Sequence, residues 1–577
     1  MRFPDAAGVP APRFSSPARF VHSLQALLSE PARTLILAIA FLLLVVLIGY
    51  PLWMLFSKSL QLPDGSLTVS RYISLITDHS LLRPFLLTLW LGAVVTVACV
   101  LVGVPMAWIV ARTNTPLKGL VRALAGVSFI IPSFMGAIAW ILLLGPNMGL
   151  VNVFLRKTLG LPIALNIFTF EGLAFVLTLH FYPLVFFAVS AALENLDPSL
   201  EEAARVSGAT AGTTALRISI PLVLPALFSG ALLVFLEAIA AFGAPAAIGF
   251  SAGFDTLTVR IFRLIAFPPR LELAAAASMP IVVLTMLGMW AQTRVLGKRQ
   301  FTVVTGKSAR IDRVDMGRWK YVLLVFCLMF LGVAVVLPAA YLTLASFVRI
   351  WGADFHLAHL TLANYASLWN PETYVAPAIR NSLALGIGAA LACAAIGLVV
   401  AWIVERVRPR GCGALASLTM LPFAFPGTAF GVGLIIAYTK PWLNLYGTFY
   451  LLLIGYVAKY ISLAFTFIRN GLRQLAPEFE EAARMAGASW TLAMRRITVP
   501  LLSGALVVGL TMVFSLVLRE LSMSILLVLP GSETMAVAIF LFLQDGYFEK
   551  AAALCIVVGS VAVLSVGLVR RLGGRAY

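Results

Sequence analysis

The sequence predicts an all-α polytopic membrane protein of about twelve transmembrane helices, arranged as two parallel six-helix repeats. Three observations carry this: an apolar composition with little charge, recurring apolar runs of spanning length, and internal repetition at fixed offsets. Of 577 residues, 61% are hydrophobic and 11% charged, with a mean hydropathy of +0.98. A soluble protein carries about 25% charged residues. Too little charge is present to clothe the three or four soluble domains this length would otherwise make. The formal charge of +18 would suggest nucleic acid in a soluble protein. No basic stretch interleaved with aromatics occurs, and Lys and Arg are expected as anchors and cytoplasmic loops of membrane helices. Cys99, Cys327, Cys393, Cys412 and Cys555 form no C-x-x-C pair, and four of them fall in apolar stretches. Neither a disulfide framework nor a zinc site is indicated, and small core residues are expected.

Taken in order, residues 1–33 are rich in Pro, Ser and Arg, too long and polar for the start of a signal peptide, and read as a cytoplasmic tail. The apolar run from Thr34 to about Phe56 has spanning length and is expected to stay as a helix. Further spans are expected near 85–110, 121–145, 172–193, 222–246 and 272–293 in the first half. The second half offers 321–347, 381–404, 413–438, 449–469, 501–527 and 551–569. These divide the chain into a first repeat (34–293), a basic cytoplasmic linker (294–320), a second repeat (321–570) and a short tail (571–577). With the N-terminus inside, the inside segments hold 28 Lys and Arg and the outside segments 12, with Lys459 and Arg519 inside spans. The positive-inside rule therefore places both termini in the cytoplasm.

The repetition is explicit. Leu67–Leu75 (L-T-V-S-R-Y-I-S-L) matches Leu360–Leu368 (L-T-L-A-N-Y-A-S-L), and A-W-I-V at 107–110 returns at 401–404. E-E-A-A-R-V-S-G-A at 201–209 returns as E-E-A-A-R-M-A-G-A at 480–488, an offset of 279. Six spans per repeat put equivalent loops on one side, so the halves are parallel copies about an axis along the membrane normal.

The two copies of this last motif lie in inside loops, 194–221 and 473–500. Pro198 and Pro477 precede them, suited to a first helical turn whose positive end favours the glutamates. One copy could be an ordinary solvated helix start. Two copies, with the same spacing through Gly208 or Gly487, Ile218 or Ile497, and Pro221 or Pro500, argue otherwise. The pattern resembles the EAA loop of ATP-binding-cassette (ABC) importer permeases; Ile220 and Val499 stand where that family usually has Leu. The resemblance implies a type I ABC importer permease fold and a cytoplasmic coupling helix that docks in a cleft of an ATPase subunit. Its docking residues would be Glu201, Glu202, Ala203, Ala204 and Gly208, with Glu480, Glu481, Ala482, Ala483 and Gly487. It further implies two ATPase subunits, which use the ATP and Mg, and one extracytoplasmic substrate-binding protein. This chain would bind no cofactor of its own and would sit in the cell's inner membrane.

No catalytic motif is present. Thr305-Gly-Lys-Ser308 lacks the first glycine of a phosphate loop, since Phe301 stands there, and no metal-ligating pattern occurs. Ionisable residues inside spans are candidates for a transport pathway because charge in hydrocarbon is costly. These are His180 and Lys459, equivalent at offset 279, with Glu237, Arg519 and Glu520. Structural hydrogen bonding or snorkelling toward the interface would explain them equally well. A fused double permease of this length resembles ferric-iron permeases, whose relatives include thiamine and aminoalkylphosphonate permeases. Phe242–Phe250, Asp255–Thr258 and Leu421–Thr428 carry that likeness, which leans to iron as substrate. The rival from another class is an ion-coupled secondary transporter of twelve helices, which would need no ATPase and leaves the paired loops unexplained.

Overall fold

The computed structural model describes residues 31–62, 64–196, 199, 203–204, 206–297, 314–350, 360–370, 373–408 and 412–573. The N-terminal tail, Glu201, Glu202 and the Thr305-Gly-Lys-Ser308 stretch lie outside the described residues.

Among the described residues, nine helices are long and apolar enough to cross a bilayer, and three sharply bent pairs bring the number to twelve if each pair is one span. In the first repeat they are α1 (Ala38–Ser59), α2 (His79–Arg112), the pair α3 (Lys118–Ile130) and α4 (Ser133–Leu144), α5 (Phe170–Glu194), α6 (Gly212–Ala240) and α9 (Leu271–Arg294). Two short helices, α7 (Gly243–Ala252) and α8 (Leu257–Ile265), separate α6 from α9. The second repeat begins with α10 (Trp319–Ser346), α11 (Val375–Val407), the pair α12 (Cys412–Ala424) and α13 (Gly427–Tyr438), and α14 (Phe449–Gln474). After the short helix α15 (Glu478–Met485) come α16 (Trp490–Leu501) and α17 (Ser503–Leu518). The short helices α18 (Ser524–Leu527) and α19 (Met535–Gln544) then lead to α20 (Phe548–Ser565).

Three expected spans are not single rods. The run near 121–145 turns by 96° between α3 and α4, and the run near 413–438 by 112° between α12 and α13. The cause is the same in both repeats. Ile131 precedes Pro132 and Phe425 precedes Pro426, and each pre-proline residue sits in extended backbone (ψ 125° and 126°). Clash with the proline ring disfavours the helical conformation there. The run expected near 501–527 instead ends at Leu518, and its helix bends by 75° at Leu502, between α16 and α17.

Prolines inside spans leave a second signature. A widened π-turn occupies Val45–Gly49, Ala215–Ser219, Gly332–Val336 and Met494–Thr498. Each turn ends two residues before a proline: Pro51, Pro221, Pro338 or Pro500. A proline offers no amide hydrogen and crowds the carbonyl four residues back, and a wider turn relieves that clash without breaking the helix.

The repeats exchange their outer helices. One core joins α2 to α5 with α10, α19 and α20, and the other joins α11 to α14 with α1, α8 and α9. The boundary between repeats in the sequence is therefore not a boundary between the two cores. Within each core the α2–α5 pair and its copy α11–α14 make the closest packing. Small residues allow it. A Cβ on Gly103 would stand 3.0 Å from Val185 Cβ and 3.2 Å from the Phe186 amide, and one on Gly397 3.2 Å from the Phe465 amide. Cys99 and Cys393, also equivalent, donate across the same interfaces to the carbonyls of Thr178 (3.6 Å) and Val457 (3.5 Å).

Candidate functional site

The described residues of the repeated loop are helical in both copies: Glu478–Met485 in the second, and Ala203, Ala204 and Val206 in the first. In the second copy Glu478, Glu480 and Glu481 occupy the first turn of α15, where the helix dipole favours negative charge. Gly487 closes the helix with φ +83°, and Gly208 does the same in the first copy with φ +82°. The amides of Ala488 and Ala209 reach back to the carbonyls of Ala483 and Ala204, both at 3.0 Å, so the two copies end in the same left-handed cap.

The two alanines of each motif divide the helix into faces. Ala204 and Ala483 are buried against the membrane domain, whereas Ala203, Ala482 and Glu481 are exposed, as are Gly208 and Gly487. Glu201 and Glu202 lie outside the described residues. Two residues passed over in the sequence complete the exposed face. Val206 and Met485, equivalent at offset 279, are each 90% exposed, and Phe479 is 53% exposed. An apolar side chain held out in water at the same place in both copies is the signal that marks them, because single exposed apolars are otherwise unremarkable.

Glu480 faces the other way. Its Oε2 accepts from Trp402 Nε1 at 3.1 Å and its Oε1 from Thr498 Oγ1 at 3.1 Å. The Arg406 guanidinium stands 3.5 Å from Oε1, with both side chains mostly buried. Arg406 also donates through Nη2 to the carbonyls of Leu472 (3.2 Å) and Leu475 (2.6 Å), where α14 ends. Next to it, Glu405 accepts from Arg469 (2.5 Å) and Arg473 (3.0 Å) of α14.

The membrane-embedded ionisable residues gather in one neighbourhood. Lys459 Nζ donates to Glu520 Oε2 at 2.9 Å; the same carboxylate accepts from the Tyr460 hydroxyl and, through Oε1, from the Met523 amide at 2.9 Å. Arg519, adjacent in sequence, points elsewhere. Its Nη1 donates to the carbonyls of Phe129 (3.0 Å) and Ile130 (2.6 Å) in the opposite repeat. These are the last residues of α3, whose terminal carbonyls have no partner within the helix and favour a cation. The Phe129 ring lies between the Arg519 guanidinium (5.8 Å) and the stacked His180 ring (5.7 Å). Glu237 is exposed within the same assembly and in electrostatic reach of Lys459, Arg519 and Glu520. The cluster is not two-fold: in the first repeat His180, Ala240 and Ala241 stand at the positions of Lys459, Arg519 and Glu520.

Residues 103–299 match the family described as "Binding-protein-dependent transport system inner membrane component". The chain is 28% identical over 519 residues to the ferric transport system permease protein FbpB of Actinobacillus pleuropneumoniae, covering 89% of this chain and 74% of that protein. It is 32% identical over 230 residues to the molybdenum transport system permease protein ModB of Mycobacterium bovis, covering 39% of this chain and 84% of ModB. A putative 2-aminoethylphosphonate permease, PhnV of Salmonella paratyphi A, is 29% identical over 201 residues, 34% of this chain and 75% of PhnV. Bent, duplicated membrane helices and these relatives converge, and the chain belongs to the binding-protein-dependent transport system inner membrane components, as a multi-pass ABC importer permease.

Proposed function

We propose that this single chain supplies the whole transmembrane pathway of a ferric-iron importer, with both termini in the cytoplasm. Two separate ATPase subunits hydrolyse MgATP, one docked on each copy of the coupling helix, and an extracytoplasmic binding protein delivers the substrate. The observation that carries this reading is the duplicated cytoplasmic helix, with its buried second alanine, exposed apolar tip and left-handed glycine in both copies. A partner that pulls both copies together acts on two cores that have exchanged helices, so the pull is shared by the whole membrane domain. His180, Glu237, Lys459, Arg519 and Glu520 line or brace the pathway. Iron is favoured because the ferric permease relative aligns over most of the chain; the phosphonate permease, aligned over 34% of it, supports the second reading.

The test is uptake into proteoliposomes holding the permease, its ATPase and its binding protein, offered ferric iron or 2-aminoethylphosphonate. ATP-dependent iron uptake, lost in the Glu202→Lys plus Glu481→Lys variant, is the expected result. Uptake of the phosphonate alone would overturn the substrate, and gradient-driven uptake by the permease without ATPases would overturn the importer reading.

A further inference from the structure

Of the glutamates in the two repeated motifs, Glu480 is the one the described structure shows tied inward, and its partners come from two different membrane segments. Trp402 and Arg406 belong to the cytoplasmic end of α11, and Thr498 lies at the π-turn that opens the bent α16–α17 span. We infer that Glu480 is a positioning residue, a strut that transmits movement of the coupling helix into α11 and α16, while docking itself falls to the exposed face of Glu481, Ala482 and Met485. This rests on the proposed ATPase docking.

Three features make the contact a transmission point rather than simple packing. The carboxylate accepts hydrogen bonds of two different kinds, from an indole N–H on one oxygen and a hydroxyl on the other, and pairs with a guanidinium 3.5 Å away. Two acceptor oxygens held by a buried indole and a buried hydroxyl, with a mostly buried cation beside them, fix the side chain in direction as well as distance, and hydrogen bonds to an ionised acceptor are the stronger sort. Apart from this carboxylate, α15 holds the membrane domain chiefly through Ala483, a side chain too small to resist sliding. Trp402 in turn stacks edge-on against Trp490 (5.1 Å between centroids), which begins α16, so one indole meets both the strut and the next span. Finally, α11 leaves its regular winding here, in a π-turn over Ile403–Val407. That turn directs Glu405 to Arg469 and Arg473, and Arg406 to Glu480 and the end of α14. A movement received at Glu480 thus reaches α11, α14 and α16 through polar contacts of fixed direction.

The experiment uses the permease reconstituted in nanodiscs with its cognate ATPase subunits, with two pairs of spin labels read by pulsed dipolar spectroscopy. One pair, at Ser207 and Ala486, equivalent exposed positions outside the proposed docking residues, reports approach of the coupling helices; the other, at the lipid-facing equivalents Val97 and Leu391, reports movement of α2 relative to α11. In the parent protein, trapping with ATP and vanadate shifts both distances. In Glu480→Leu, and separately in Trp402→Phe with Thr498→Val, the ATPase still co-purifies and the Ser207–Ala486 shift persists, while the Val97–Leu391 shift is lost or at least halved. Both shifts persisting at parental size would overturn the strut. Loss of both, with the ATPase no longer bound, would overturn it too, by making Glu480 a docking residue. If the parent itself binds no ATPase, the proposed function fails instead, and that outcome is read before any variant is made.

Discussion

Removing one member of the Lys459–Glu520 pair tests whether this ion pair holds the second repeat together. The pair is nearly dry, with side-chain exposures of 17% and 9%. In Lys459→Met the Glu520 carboxylate keeps the Tyr460 hydroxyl and the Met523 amide but loses the one cation that pairs with it among the described residues. Breaking a buried pair from one side costs about 3–5 kcal/mol, chiefly because a charge stays behind without a partner. Two surviving hydrogen bonds put the expected loss at the lower end, about 3 kcal/mol. Glu520→Gln removes the charge while keeping an acceptor for Tyr460 and Met523, and leaves Lys459 free to reach toward water along its own stem. It should cost about 1–2 kcal/mol. The double variant strands no charge and should cost less than the sum, giving a coupling of about 2 kcal/mol. Reversible unfolding of the purified permease in mixed micelles, followed against denaturing-detergent fraction, measures all four corners of the cycle. Additivity within about 0.5 kcal/mol would refute the reasoning and make Lys459 and Glu520 independent.

Arg519→Met should destabilise by about 1–3 kcal/mol, since two half-buried carbonyls at the end of α3 lose their donor; Arg519→Lys, with one rotating ammonium, should recover part of that in the same unfolding assay. Gly487→Ala and Gly208→Ala meet no atom within 4 Å, so each should cost only the left-handed backbone strain, about 1 kcal/mol, with the fold intact; a loss above about 3 kcal/mol would contradict that. Gly397→Val should cost more than Gly388→Val, because a Cβ there meets the Phe465 backbone amide instead of the tip of Leu453, and thermal unfolding of the two variants ranks them. Met485→Asp together with Val206→Asp should leave unfolding unchanged yet reduce ATPase co-purification at least tenfold, since both side chains are solvent-facing in the permease alone.

Much of this architecture is written in the sequence because its determinants are local. Spanning length follows from apolar runs, and the paired breaks of α3–α4 and α12–α13 follow from an apolar residue before proline at the same place in each repeat. What escaped the sequence depends on partners far along the chain. Glu480 and Glu481 are adjacent acids in one motif, and nothing local says that the first turns in to Trp402 and Arg406 while the second faces out. A hint was available: A-W-I-V repeats because Trp402 has a task, and Trp108 and Arg112 stand where Trp402 and Arg406 do in the second copy. Read as evidence of duplication alone, that repeat hid a contact. The same holds for Arg519 and Glu520. Helical geometry separates neighbours in sequence, but only the fold reveals that one is spent within its own repeat and the other on α3 of the opposite one.

The contrast between the two kinds of site has a physical reason. The described residues of the repeated motif keep a buried second alanine, a left-handed glycine and an exposed apolar tip in both repeats, as the two similar partners proposed above would require. The charged cluster lies where the repeats meet, and there symmetry would be costly. A second Lys–Glu pair in place of His180 and Ala241 would bury two more charges beside those of Lys459 and Glu520, each adding a desolvation penalty of several kcal/mol. One repeat supplies the ion pair and the bridging arginine; the other supplies an aromatic ring and helix-end carbonyls to receive it. Divergence in this cluster, with the E-E-A-A motif kept in both repeats, gives the chain one charge arrangement where its repeats meet in place of two related ones.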